Sequence, residues 1–218
     1  MPNSIPNDIY QYSLHSAYTA GLQTGGPPVA FLTDHGTYGY GFFADGTTML
    51  QVDRIAYTFS SSGKATKAAQ DAQLPFVMVC VFQPERRLGV DGMFGNMTTL
   101  RDMFKTGEGQ KVNVPLPFAV RGAFSKVKTK EGEWKNVQGT IFGFAVPKWA
   151  SGVSGGWDGE EANGLRCAFL SGDKGTGGTV KDFECVTGSF LEFAKMGRFH
   201  LGMPFGAEAA EFERMELE

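Results

Sequence analysis

The spacing of hydrophobic and polar positions changes several times along the chain, and each change predicts an element. Leu74 to Gln83 (LPFVMVCVFQ) is almost unbroken apolar sequence, which fits a central strand covered on both faces. Thr48 to Ser60 is rich in β-branched and aromatic residues and is interrupted by Asp53-Arg54, which predicts two short strands and a turn. Phe118 to Lys128 alternates, with Phe118, Val120, Phe124 and Val127 set against Arg121, Ser125 and Lys126 around a glycine kink. Val137 to Val146 is apolar and ends at Pro147, and Leu165–Leu170, Thr179–Val186 and Phe190–Phe193 supply three further strands. Helical spacing is rarer. Val29 to Asp34 follows Pro27-Pro28 and precedes Gly36, the order expected of a short helix with a left-handed glycine cap. Thr98 is placed to cap a helix carrying Leu100, Met103 and Phe104. The acidic tail from Glu208 to Glu218 reads as one more helix, and Ser151 to Gly159 as a loop. The sum is an α+β fold, a large mixed β-sheet with a few short helices. Without repeats or a long linker, residues 1–218 read as a single domain, with a candidate subdivision near residues 110–116.

Glycine supplies 30 of 218 residues, twice the usual ~7%, which suits a sheet with many tight turns. With 20 basic against 23 acidic residues the net charge is −3, so no broad phosphate-binding surface, and no nucleic-acid partner, is expected. No apolar run approaches the ~20 residues that cross a bilayer, and the start lacks the basic and apolar regions of a signal peptide. Cys80, Cys167 and Cys185 are scattered, odd in number and without Cys-x-x-Cys spacing, which indicates reduced thiols rather than a disulfide framework or zinc knuckle. The chain therefore reads as cytoplasmic, with no membrane partner.

The common catalytic signatures are absent: no Walker loop, no Gly-x-Ser-x-Gly elbow, no His-Glu-x-x-His helix. The run Gly36-Thr37-Tyr38-Gly39-Tyr40-Gly41 is glycine-rich like a phosphate loop, but its aromatics suit a packed turn. Histidine is limited to His15, His35 and His200. His35 sits where it can stabilise helix-end carbonyls, while His15 and His200 read as structural, so a nitrogen-rich zinc site is hard to assemble.

Several blocks, in order from residue 9 to about residue 204, resemble the α-acetolactate decarboxylase family, zinc enzymes that convert acetolactate to acetoin. They are Tyr10-Gln11-Tyr12-Ser13, the run Asp34 to Gly41, Ala44-Asp45-Gly46, Pro117-Phe118-Ala119-Val120-Arg121, Gly139-Thr140-Ile141-Phe142-Gly143-Phe144 with Pro147, and Gly177-Gly178-Thr179-Val180-Lys181-Asp182-Phe183. The resemblance implies that fold. It also implies where zinc would sit: a His-x-His strand and a later histidine, at positions held here by Arg166, Ala168 and Thr179. The acidic residue that follows Asp-Gly in the family corresponds to Thr47 or, with a small shift, Thr48. The family's catalytic arginine corresponds to Arg121, though Gly122 follows it directly where the family has two residues between. The tail glutamate of the family corresponds to Glu213, Glu216 or Glu218.

Alanine cannot ligate, threonine ligates zinc poorly and a guanidinium repels a cation, so no metal and no other cofactor is expected. Arg121, Arg166 and Thr179 are the catalytic candidates, and Thr47, Thr48 and Trp157 the substrate-binding ones. Two arginine forks and several hydroxyls suit a carboxylate, an enolate or a polarised carbonyl. Three readings stay open. The first is a metal-independent lyase, isomerase or cyclase on a small carbonyl or carboxylate compound, as in secondary metabolism, working by decarboxylation or through an enol. The second is a non-catalytic binder of small molecules. The third is a true acetolactate decarboxylase with its metal moved to Cys167 and Cys185, although Cys167 follows Arg166 and should face the other way. Phe42, Phe43, Trp149 and Trp157 fall near turns, where they either cover the sheet or line a pocket for a bulkier substrate. The expected partner is a small-molecule substrate, and a homodimer is allowed.

Overall fold

The computed structural model describes residues 7–90, 95–106, 113–156 and 164–215. In chain order its first half holds β1 (Asn7–Tyr12), α1 (His15–Thr19), α2 (Val29–His35), β2 (Tyr38–Phe42), β3 (Thr48–Val52), β4 (Ile55–Phe59), β5 (Ala65–Lys67), β6 (Phe76–Cys80) and β7 (Arg86–Gly89). Then come α3 (Met97–Thr106), β8 (Leu116–Thr129), β9 (Glu133–Ala145), a 3₁₀ turn (Lys148–Ala150), α4 (Ser151–Ser154), β10 (Leu165–Ser171), β11 (Gly177–Cys185), β12 (Phe190–Phe193), β13 (Met196–Gly202) and α5 (Ala207–Phe212).

The strands form two sheets, one ordered β13-β1-β6-β2-β3-β4-β5 and the other β11-β10-β9-β8-β12-β7. Pairing is antiparallel except between β1 and β13, so the chain's last strand returns to the sheet of its first. Of the candidate subdivision near 110–116, residues 110–112 lie outside the described residues. The sheets pack face to face. Tyr40, Phe76 and Met78 of one share a cluster with Ala119, Phe142, Phe144, Ala168 and Leu170 of the other. Burying an aromatic or aliphatic side chain of this size contributes ~1.5–3 kcal/mol. Val29 and Leu32 of α2 cover the outer face of the first sheet, and Leu100, Met103 and Phe104 of α3 that of the second.

β6 is the expected central strand: all five residues are buried, with Phe76, Met78 and Cys80 facing inward and Val77 and Val79 outward. Asp53 (φ 51) and Arg54 (φ 67) form the two-residue turn between β3 and β4, with the left-handed backbone that tight hairpins use. Other expectations change in detail. The glycine-rich run is a strand, β2, rather than a turn. Its neighbour Gly36 is extended (φ 176) instead of left-handed, because its backbone lies against Cys80. Asn96, not Thr98, caps α3, accepting from the Thr99 N–H at 2.9 Å and binding Leu100 through its carbonyl at 3.0 Å. The start of the expected loop at Ser151 is the helical turn α4. His35 Nδ1 meets the Phe31 carbonyl at 3.0 Å, the expected role at a helix end. No helix among the described residues is long and apolar enough to cross a membrane.

Candidate functional site

Alternation along β10 sends Arg166, Ala168 and Leu170 toward the facing sheet, where Ala168 and Leu170 join the central cluster. Cys167 faces the outer cluster instead, as its place after Arg166 requires. Ala168 lies opposite Thr179 of β11. From across the gap the Thr48 hydroxyl, at the start of β3, meets the Thr179 hydroxyl at 2.7 Å. Two sequence candidates are thus brought together by one hydrogen bond that ties the sheets.

Thr179 has a second partner absent from the sequence analysis. Glu131, in the β8–β9 turn, accepts the Thr179 N–H at 2.8 Å and its hydroxyl at 3.3 Å. The turn is fixed by Thr129, whose hydroxyl accepts the Glu131 and Gly132 N–H groups at 3.2 and 3.1 Å, and by a 2.8 Å bond from Lys130 N to the Thr179 carbonyl. Gly178 makes room: a Cβ there would lie 2.1 Å from Glu131 Oε2.

Arg166 meets a second unanticipated residue. Its Nη2 lies 2.8 Å from His15 Nε2. A guanidinium only donates, so Nε2 accepts and the imidazole proton sits on Nδ1. The His15 ring is buried at 4% exposure and packs edge-on against Phe76 with centroids 5.3 Å apart, while the guanidinium lies 5.9 Å from the Phe42 ring centre. Phe42 in turn stacks on Tyr18 at 5.0 Å. The pair is closed off by Gly155 after α4, a helix pinned to β1 by Ser154 Oγ donating to Gln11 at 2.7 Å and by Gln11 Nε2 donating to the Val153 carbonyl. Gly155 has φ 76, and a Cβ there would lie 2.7 Å from the imidazole and 2.8 Å from Arg166 Nη2.

Between these groups stands Tyr40, at 1% exposure. Its hydroxyl is buried and, among the described residues, has no hydrogen-bond partner. The Thr48 hydroxyl is close enough to favour the ionised phenol, but the two oxygens do not meet in hydrogen-bond geometry. Burial pushes the phenol up to about 12, with the Arg166 charge pulling the other way. Tyr40 is therefore a proton-bearing donor at neutral pH.

The remaining sequence candidates lie elsewhere. Arg121 does not share this site. Its Nε donates to Glu192 at 3.0 Å and its Nη2 to the Tyr38 hydroxyl at 2.8 Å, and Tyr38 donates to Asp53 at 2.6 Å. Arg121 lies in register with Thr140, and Thr140 with Leu170, so Arg166 is four residues, about 13 Å, further along its strand. Thr47 turns away: its hydroxyl and N–H both bind Asp45, at 2.6 and 2.9 Å, and it is Thr48 that faces the gap. Trp157 lies outside the described residues, as do Glu216 and Glu218, while Glu213 is exposed. Phe43 packs on the outer face of its sheet, and Trp149 is 70% exposed, with its indole N–H on the Asn113 carbonyl.

This donor set does not fit a zinc ion. A guanidinium, a methyl group and a hydroxyl already given to a carboxylate occupy the positions to which the resemblance assigns zinc. Among the described residues, no three His, Cys, Asp or Glu side chains come together. Burial pushes Cys167 and Cys185 each up to about 12, away from the thiolate a relocated metal would need.

The family model for alpha-acetolactate decarboxylase matches residues 9–133 and 128–218. The chain belongs to that family. Similar relatives include the alpha-acetolactate decarboxylase of Methanosarcina mazei, 27% identical over 213 residues, 85% of this chain and 69% of that one. That of Lactococcus lactis subsp. lactis is 26% identical over 229 residues, 96% of this chain and 93% of that one. Among solved structures, the alpha-acetolactate decarboxylase of Bacillus subtilis strain 168 superposes with a TM-score of 0.80 at 21% identity, covering 97% of this chain and 94% of that one. A Staphylococcus aureus protein of unknown function, similar to the same enzyme, gives 0.81 at 17% identity over the same shares. These superpositions establish the fold of the family, two packed sheets with few helices.

Proposed function

We propose that this chain is a lyase of the family's decarboxylating kind, acting without a metal on a small carbonyl-bearing carboxylate, with Tyr40 at its centre. The observation that carries this is the Tyr40 hydroxyl, buried without a partner between Arg166 with His15 and Thr48 with Thr179. An unsatisfied hydroxyl in a protein interior costs about 1–3 kcal/mol and calls for a function. Loss of carbon dioxide from a 3-oxo acid breaks the bond to the carboxyl carbon and moves that electron pair onto the ketone oxygen, giving an enolate. A phenol that keeps its proton donates a hydrogen bond to that oxygen, and the Arg166 charge stabilises the same developing anion in a region shielded from water. A proton from solvent then restores the carbon. Phe42 and Arg166 are both partly exposed, and the Tyr18–Phe42 stack offers an apolar wall for a substrate bulkier than acetolactate. The same enolate would serve isomerisation or cyclisation, and measured carbon dioxide decides between them.

The test is release of carbon dioxide from a panel of 3-oxo and 2-hydroxy-3-oxo acids, acetolactate included, by wild type and Tyr40→Phe, before and after dialysis against a chelator. Turnover that survives the chelator and falls about 10²-fold in Tyr40→Phe is expected, the usual loss when one oxyanion donor is removed. Binding without turnover would make the chain a binder instead, and turnover abolished by the chelator would overturn metal independence.

A further inference from the structure

Glu131 reaches this site from a turn 48 residues away in sequence and takes both donors of Thr179. A carboxylate accepts and cannot donate. The Thr179 hydroxyl proton therefore points at Glu131, and the 2.7 Å contact between the two threonine hydroxyls is left one direction only, Thr48 donating to Thr179. Thr48, at 4% exposure, then has only lone pairs to offer, and beside it the Tyr40 hydroxyl offers a proton. We infer that Glu131 is a positioning residue that sets this direction through Thr179 and Thr48, so that the site selects a ligand carrying a hydroxyl that donates to Thr48, beside the oxygen that accepts from Tyr40, over one with a ketone or ether oxygen against Thr48. The inference rests on the reading of Tyr40 as the centre of a small-molecule site, but the hydrogen-bond direction itself does not depend on turnover.

Glu131→Gln is the informative variant because it keeps the shape and reverses the direction. The glutamine oxygen keeps the 2.8 Å bond to Thr179 N–H. Its NH₂ group then faces the Thr179 hydroxyl and donates to it, Thr179 donates to Thr48, and Thr48 donates into the site. Neutron diffraction from deuterium-exchanged crystals reads this directly. In wild type the Thr48 deuteron should lie toward Thr179 and the Thr179 deuteron toward Glu131, with both reversed in Glu131→Gln. A Thr179 deuteron directed at Thr48 in wild type overturns the inference, and needs no variant that folds. For selectivity the probes are lactate and pyruvate, which differ in a hydroxyl against a ketone, with binding followed by calorimetry. Wild type should prefer lactate by about tenfold or more, and Glu131→Gln should remove or invert the preference. A wild-type protein without the preference, binding neither acid included, overturns the selectivity, as does a ratio unchanged in Glu131→Gln. Absence of decarboxylation alone would sink the proposed reaction and leave the deuteron positions standing, so the two ideas fail separately.

Discussion

Replacing Tyr40 by phenylalanine should make the ligand-free protein more stable, the reverse of what removing a buried tyrosine hydroxyl normally does. The ring is 1% exposed and sits in the central cluster with Phe76, Phe142 and Ala168. Phenylalanine keeps that packing and discards only an oxygen with no partner. An orphaned buried hydroxyl costs about 1–3 kcal/mol, so a gain of about 1–2 kcal/mol is expected, or roughly 2–8 °C in Tm for a chain of this size. Tyr38 is the control on the same strand, two residues away and facing the same gap. Its hydroxyl donates to Asp53 at 2.6 Å and accepts from Arg121 at 2.8 Å. Tyr38→Phe strands both charged partners and should lose about 1.5–3 kcal/mol. Thermal and urea unfolding of the two variants beside wild type supply the measurement, and opposite signs are the expected result. A fall in stability for Tyr40→Phe would mean that its hydroxyl is satisfied in the free protein, and the reasoning that makes it a ligand donor would go with it.

Three further outcomes follow from single observations. Gly155→Ala should cost at least about 1–3 kcal/mol in urea titration, because φ 76 with ψ −158 is a region only glycine adopts freely, and should shift the His15 ring resonances, which the new Cβ would contact; an unchanged midpoint refutes the close packing there. Glu192→Ala should lose about 1–2 kcal/mol, its ion pair with Arg121 being only partly exposed, with turnover per folded molecule unchanged; a selective loss of turnover would return Arg121 to the catalytic group. In alkali, burial holds Tyr40 and Cys167 each near about 12 against ordinary values of 10.0 and 9.0. Between those limits the folded state keeps protons that the unfolded chain has released, so stability is full below about pH 9 and falls as pH rises toward 12. Urea midpoints across that range should show the fall, and Cys167→Ala should make it shallower without moving its onset, because the buried thiols of Cys80 and Cys185 are raised in the same way.

Much of the fold was legible because it rests on short-range pattern. A continuous apolar run marked β6, alternation marked β8, and a polar pair between β-branched runs marked the β3–β4 turn. What escaped had no such signature. β2 hides among glycines because its backbone lies too close to neighbouring strands for side chains, with Gly41 packed on Val77 and Gly39 on Val79, so its composition imitates a turn. Among the described residues β13 pairs only with β1, and five of its seven residues are exposed. Such a strand has no inner face to write into its sequence.

The site divides along the same line. The resemblance placed Arg166 inward and alternation then placed Cys167 outward, and both hold, because a strand's own backbone dictates which way successive side chains leave it. Alternation says nothing about what waits opposite. Arg121 was expected beside Arg166, but strand register sets it a third of the way down another strand pair, against Glu192 and Tyr38. His15 is separated from Arg166 by 151 residues, and Glu131 occupies an ordinary-looking Lys-Glu-Gly turn. What gives these two residues a role is local room: Gly155 admits the imidazole to Arg166, and Gly178 admits the carboxylate to Thr179. A glycine beside a candidate site residue is thus the one mark the sequence carried of partners arriving from elsewhere. Gly178 lies in a block the resemblance already singled out, so the position of Glu131 could be sought from the space it leaves, whereas Gly155 lies in a glycine-rich loop outside every such block, and nothing in the sequence pointed from it to His15.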